Sequence, residues 1–413
     1  MEKYDKRRWL VLIASCVINF FIGTLYVWSV FSGPMAEYLS AKNGVELIAE
    51  DLGIVFSIGN SVGFITMIAG GFITAKLGSK LVVLVGGILF GLGFVICGFA
   101  SGVGGLIVGY GLFTGLAMGL VYGVTINNTV KFFPDKKGFA GGVATAAYGV
   151  SSVVWPPVVQ SMIEGSGVTS TFKIVGIMTI VVIVVMSFLI TKCPDGYAPK
   201  GWTPKATATT VSATENKNWK QMITSKFFYI MMAMLFAGAL SGMMMISSAK
   251  PIGMNMMGFE PAFAALLVSI IALFNALARI GGGFVSDKLG RINTLLIVFI
   301  VSIIALVCLF FGGQNMSVPL FIIGIILTGI CFGCFMGIYP GFTMEMFGAK
   351  NQGVNYGIMF IGFSLAGLIA PMIVKSVYGS TGTYLMAFLI AIIVAAAGFV
   401  LSLLFKAMAK KAK

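Results

Sequence analysis

Residues 271–291 read IALFNALARIGGGFVSDKLGR. The segment starts as an apolar helix, carries Asn275 and Arg279 four residues apart, runs through Gly281, Gly282 and Gly283, and turns polar at Asp287-Lys288. A run of this length and apolarity crosses a bilayer, since ~20 residues span the hydrocarbon core. Arginine at that depth costs roughly 2.5–3.5 kcal/mol on insertion scales, so it faces a protein or water-filled interior. A guanidinium is a planar fork of donors that matches a carboxylate or phosphate. Asn275, one turn earlier on the same face, is placed to orient that fork or to bind a ligand oxygen. The competing reading is a structural or snorkelling arginine, Asp287 lying eight residues on, or ~12 Å along a helix.

Eleven further hydrophobic runs surround this one. The 413 residues are 58% hydrophobic and 10% charged, with a mean hydropathy of +1.02. A soluble domain is nearer a quarter charged, so the chain reads as an all-α, polytopic membrane protein. Spans are expected over 9–31 (ending near Pro34), 52–73, 81–100, 103–126, 139–163 and 172–191, then over 227–248, 262–285, 294–312, 319–339, 353–374 and 384–405. The segmentation is a six-helix half (1–191), a polar, lysine-bearing linker (192–226), a second six-helix half (227–405) and a basic tail (406–413). The net charge of +14 suggests nucleic acid at first sight. Its placement argues otherwise: Lys42, Lys173, Lys250 and Lys375 fall on outer loops and Arg279 within the membrane, while the other Lys and Arg fall on inner loops and ends. That is the positive-inside pattern, with both termini cytoplasmic. Arg7-Arg8 leads straight into a full-length span, as expected without a cleavable signal peptide.

Several chemistries are disfavoured. The chain has no histidine, which removes imidazole catalysis and proton relay. Of six cysteines, Cys331 and Cys334 form a C-x-x-C in an apolar run with no second pair, read as helix packing rather than a redox or metal site. No nucleophile–base pair is apparent, so an enzyme is not expected, and neither a metal nor a cofactor. A channel would need a continuous polar lining that these spans lack. A membrane sensor without transport would look the same in sequence.

The halves repeat each other. GGFITAKLGSK (70–80) matches GGFVSDKLGR (282–291) at an offset of 212. Repeated transmembrane halves indicate alternating access around a midplane site. Span 4 carries Gly111, Gly115, Gly119 and Gly123, a stripe that lets another helix approach closely. Tyr122 lies beside it, with Tyr148 in span 5 and Tyr26 in span 1; a buried tyrosine hydroxyl seeks a partner that a carboxylate supplies.

With these motifs the chain resembles the major facilitator superfamily, whose loop motif is matched by Gly283, Asp287, Lys288, Gly290 and Arg291. The first copy departs from it, with Ala75 where the acid stands. GLVYGVTINNTVKFFPDKKG, TAAYG, FNALARIGGGFVSDKLGR and NYG (355–357) together resemble the oxalate–formate antiporter family and bacterial monocarboxylate carriers. The resemblance implies a carboxylate-binding arginine at Arg279 and pocket tyrosines at Tyr26, Tyr122 and Tyr148. It also places Phe332 and Met336 where the family has a tryptophan and a tyrosine, with Tyr339 a substitute one turn on. Phe363 stands where oxalate carriers place a second cation, a lysine. One cation and an apolar wall leave a dianion half paired and suit a small monocarboxylate of the lactate, pyruvate, formate or acetate type. Oxalate–formate exchange is the alternative; drug efflux is more remote, because no acid lies in any span. The expected setting is a prokaryotic inner membrane and a monomer, with a proton or counter-anion as the coupling partner.

Overall fold

The computed structural model describes residues 2–200, 202 and 216–411. Part of the linker, including Lys205, and the last two residues of the basic tail lie outside the described residues. Among these no strand occurs, and twelve helices are long and apolar enough to cross a membrane. They are α1 (Tyr4–Asn43), α2 (Gly53–Leu77), α3 (Ser79–Cys97), α4 (Val103–Phe132), α5 (Lys137–Ser166) and α6 (Val168–Ser187), then α7 (Lys226–Met257), α8 (Leu266–Leu289), α9 (Arg291–Gln314), α10 (Val318–Phe347), α11 (Gln352–Thr381) and α12 (Leu385–Lys411). A five-residue helix, Trp219–Ile223, precedes α7 and is closed by a capping box between Asn218 and Gln221.

Several helices outrun the expected spans. Pro34 does not end α1, which continues to Asn43; a proline removes one backbone bond, and a packed membrane helix tolerates the loss. α7 passes Ser248 and Pro251 and stops at Gly258, where φ is +65°. The long break in α1 comes earlier, as a 3-10 segment over Gly23–Val27. The carbonyl it frees at Leu25 accepts from the Tyr110 hydroxyl at 2.6 Å. Tyr110 sits in a π-helical stretch of α4, Ile107–Thr114, so a side chain from one departure from α geometry bonds to the backbone of the other.

The glycine stripe of α4 meets α2. A methyl added at Gly115 would lie 2.7 Å from Gly59 Cα, and one at Gly123 2.7 Å from Met67 Cγ. The sequence repeat has a structural counterpart: Gly78 (φ +81°, ψ 158°) and Gly290 (φ +84°, ψ 148°) break the chain in the same way after the two copies. Only glycine adopts that conformation freely. Cys331 and Cys334 face different neighbours, the carbonyls of Val298 and Ala278, and all six cysteines are free.

One face of the bundle gathers the lysine-rich loops, and contacts among them join distant parts of the chain. Arg8 pairs with Asp135 at 2.9 Å, Tyr197 donates to Asp5, and Lys217 N donates to Phe347 O. On this basic face α2 meets α11 backbone to backbone: a methyl at Gly353 would sit 2.9 Å from Gly71 Cα, and one at Gly357 2.9 Å from Ile68 N. Farther along the same pair the approach is looser, 3.7 Å from a methyl at Gly367 to Asn60 Nδ2.

Candidate functional site

α8 lies between α5 and α10 and packs extensively on both. Glycines permit the approach. Gly142 of α5 and Gly337 of α10 both press on the Arg279 carbonyl, and Gly333 presses on that of Asn275. Any side chain at these positions would meet backbone. The α8 backbone is thus fixed from two sides where Arg279 leaves it.

Arg279 is 2% exposed, the largest fully buried side chain among the described residues. Its Nε donates to Asn275 Oδ1 at 3.1 Å and its Nη1 to the Thr145 carbonyl of α5 at 2.8 Å. Asn275 therefore orients the fork, as its one-turn spacing suggests. Neither acceptor carries a full charge, and no carboxylate among the described residues pairs with Arg279. A buried cation without a counter-charge is costly by several kcal/mol and is eased by an anion that reaches it.

Beside Arg279 a cavity opens between the first six helices and the last six. Of the sequence-predicted residues, Tyr26, Tyr122, Tyr148, Arg279, Met336 and Phe363 line it. The tyrosines form a cluster: Tyr148 stands edge-on to Tyr26 and to Tyr122, both with centroids 5.1 Å apart. The Tyr148 hydroxyl is buried without a hydrogen-bond partner among the described residues. The opposite wall is aromatic, with Phe360 and Phe363 4.5 Å apart. No Asp, Glu or Lys among the described residues lines the cavity.

Three predicted residues do not line it. Phe332 stacks behind Phe363 at 6.1 Å and fills the notch left by Gly242 of α7. Tyr339 is fully buried and donates to the Met231 carbonyl at 2.9 Å, tying α10 to α7. Asn275 stands behind the guanidinium rather than on the wall. Sequence reasoning missed Asn60, Phe64 and Met67 of α2, Met118 of α4 and Phe360 of α11. Asn60 is a polar residue in an apolar run, the one signal that was there to read.

The free volume is about 20 Å³, room for roughly one water. A three-carbon acid needs the aromatic side chains to move.

At the α8–α9 turn the loop motif is assembled. Asp287 accepts from the backbone N–H groups of Gly138 and Phe139, both at 2.9 Å, at the start of α5. Arg291 pairs with Asp287 at 2.5 Å and with Glu345 at 3.3 Å, and also contacts Ser286. A carboxylate on helix N-terminal amides is favoured by both the open donors and the helix dipole. It clamps α8 to α5 across the two sets of helices.

A family profile described as Major Facilitator Superfamily matches residues 9–371 and again 243–413. The chain belongs to the major facilitator superfamily. Its fold agrees: the superfamily transporter FucP, solved in an outward conformation, superposes with a TM-score of 0.71 at 14% identity, covering 95% of this chain and 98% of that one. The oxalate:formate antiporter of Oxalobacter formigenes is 26% identical over 356 residues, 86% of this chain and 81% of that protein. Human monocarboxylate transporter 12 is 23% identical over 359 residues, 81% of this chain and 69% of that one. The chain is therefore a multi-pass membrane protein with the fold and relatives of transporters rather than enzymes.

Proposed function

We propose that this superfamily member moves small monocarboxylate anions of the lactate, pyruvate or formate type across the cell membrane by alternating access, with Arg279 as the carboxylate receptor. The observation that carries the reading is a fully buried guanidinium without a counter-charge, facing a cavity of three tyrosines and an apolar wall. A carboxylate there completes the charge pair; its short apolar tail rests on Phe360, Phe363 and Met336. The relatives named for oxalate, formate and monocarboxylate transport support an anion of this class.

Segments 1–191 and 227–405 are the moving halves, joined by 192–226, with the basic face in the cytoplasm as the lysine bias directs. The backbone contacts of α2 with α11 and the Asp287 clamp describe a state closed on that side. Pairing Arg279 with substrate lowers the cost of burying it, which ties occupancy to the switch.

Exchange of oxalate for formate is the second reading, favoured by the antiporter relative. It is opposed by Phe363, which leaves the cavity with one cation. The deciding experiment is uptake of labelled L-lactate into proteoliposomes by the wild type and by Arg279→Ala, with pyruvate, formate and oxalate as competitors. Uptake that is lost in the variant and blocked by monocarboxylates but not oxalate supports the proposal. Oxalate as the strongest competitor transfers the case to exchange, and normal uptake by Arg279→Ala makes that arginine structural.

A further inference from the structure

The two copies of the loop motif differ at one position: Asp287 in the second copy corresponds to Ala75 in the first. Asp287 places its carboxylate on the N-terminal amides of α5. At Ala75 there is instead a cavity of about 640 Å³ on the basic face, between the ends of α2 and α4, the linker and the start of α11. Such a volume is in the range of small-molecule sites. Among the described residues, Lys131, Lys192, Lys220 and Lys350 line it against a single carboxylate, Asp195. Two lysines already lean toward backbone oxygens for want of anything better: Lys131 Nζ lies 3.4 Å from the Lys350 carbonyl, and Lys192 Nζ 3.3 Å from that of Ala75.

Neutral groups on the wall point the same way. Asn127 is 4% exposed and lines the cavity, yet neither its Nδ2 nor its Oδ1 has a hydrogen-bond partner among the described residues. Thr74 Oγ1, one residue before Ala75, is buried and also unpartnered. A buried amide left unpaired costs about 1–3 kcal/mol, and an acceptor in the cavity would relieve the Nδ2 share of it once the side chain turns outward.

We propose that this cavity is a second anion site, separate from Arg279, which takes a multivalent oxyanion of the phosphate type in the place of the carboxylate that Ala75 lacks. Lys131 and Lys192 belong to the first six helices and their linker end; Lys220 and Lys350 belong to the second part of the chain. An oxyanion bridging them joins α2 and α4 to α11, as Asp287 joins α8 to α5. Without it, four cations face one another across the seam. Binding itself is independent of what Arg279 transports; its consequence, a preference for the state closed on the basic face, rests on the alternating-access reading.

The test uses the full chain in phosphatidylcholine nanodiscs, with sodium pyrophosphate as probe and sodium chloride matched for ionic strength. Two readouts need no transport. One is the melting temperature. The other is alkylation of Cys193, which lines the cavity, followed residue by residue by mass spectrometry. Burial pushes the Cys193 thiol up to about 12, so labelling is slow; it is run at one neutral pH, where the lysines stay charged, and compared only between matched samples. Pyrophosphate at ten times its dissociation constant is expected to raise the melting temperature and to slow Cys193 alkylation about tenfold, in step with occupancy.

Lys131→Gln with Lys350→Gln is expected to abolish both responses. Ala75→Asp, which supplies the missing carboxylate from the chain, is expected to raise the melting temperature unaided and to remove the pyrophosphate response. Protection that appears only when phosphatidylglycerol is added to the discs, and is lost in the lysine variant, supports the site with a lipid headgroup as its oxyanion. Sodium chloride matching pyrophosphate, or the lysine variant responding as the wild type does, overturns the proposal.

Discussion

At the scale of single residues the guanidinium of Arg279 dominates. Its two acceptors are an amide and a backbone carbonyl, so removing the side chain leaves no orphan charge behind. Arg279→Ala is therefore expected to fold normally and lose substrate affinity, by about 2 kcal/mol or more, roughly thirtyfold in Kd, as for truncation of a buried charge pair. Scintillation-proximity binding of lactate measures it. An unfolded variant would instead indicate that Arg279 holds α5 to α8. Phe363→Lys tests the other wall: a second cation at that position is expected to make oxalate an effective competitor. If oxalate still fails to compete, the number of cations is not what selects the substrate. With no Asp, Glu or His on the cavity wall, lactate exchange without a gradient should be flat between about pH 6 and 8, where no carboxylate or phenol titrates. A bell-shaped profile would reveal a titrating group in the transport cycle.

Arg279, Asn275 and the three tyrosines were legible because their chemistry is rare in an apolar span. Phe332 and Tyr339 show where that legibility ended. With Met336 they lie at helical spacing on α10, and it was the family resemblance that placed all three on the cavity. Met336 reaches the cavity, whereas Phe332, packed on Gly242, and Tyr339, bonded to the Met231 carbonyl, are taken up by α7. Phe64, Met67, Met118 and Phe360 left no mark in the sequence, because apolar residues among apolar residues carry no directional signal until the helices are packed.

At the scale of elements the glycines decide. Span number and the α4 stripe followed from composition and spacing; the α2 partner of that stripe did not, since small residues announce a close approach without naming the neighbour. The 3-10 break in α1 and the π stretch in α4, joined by the Tyr110–Leu25 hydrogen bond, were equally hidden. The α2–α11 contact yields a prediction. At Gly71 a side chain would meet the backbone of Gly353 and Val354, and overpacking of this kind costs about 1–3 kcal/mol. If the basic face opens and closes, Gly71→Val places that cost on the closed state alone and shifts the balance by about 5- to 150-fold. Maleimide labelling of Val354→Cys, measured with Gly71 intact and again with Gly71→Val added, should be faster in the second case. Equal rates would show that α2 and α11 do not part there.

At the scale of the whole molecule the two clamps on the basic face are unlike. One is complete within the chain: Asp287 on the amides of α5, held by Arg291, itself held by Glu345. The other relies on glycine contact and, by the proposal above, on an anion from solution. The first clamp should therefore be the harder one to lose. Asp287→Asn keeps the size of the side chain but weakens two charge-assisted bonds and strands Arg291 with one acid. A charged hydrogen bond is worth about 1.5–3 kcal/mol, which corresponds to a tenfold or greater loss of the closed state. Because Asp287 lies far from the Arg279 cavity along α8, substrate affinity in that closed state should be little changed while the maximal rate falls. Uptake kinetics in proteoliposomes, read beside lactate binding to the same preparation, separate the two quantities. A variant that loses affinity and keeps its rate would mean that the motif shapes the site rather than the switch; one that keeps both would mean that α5 and α8 stay together on glycine packing alone.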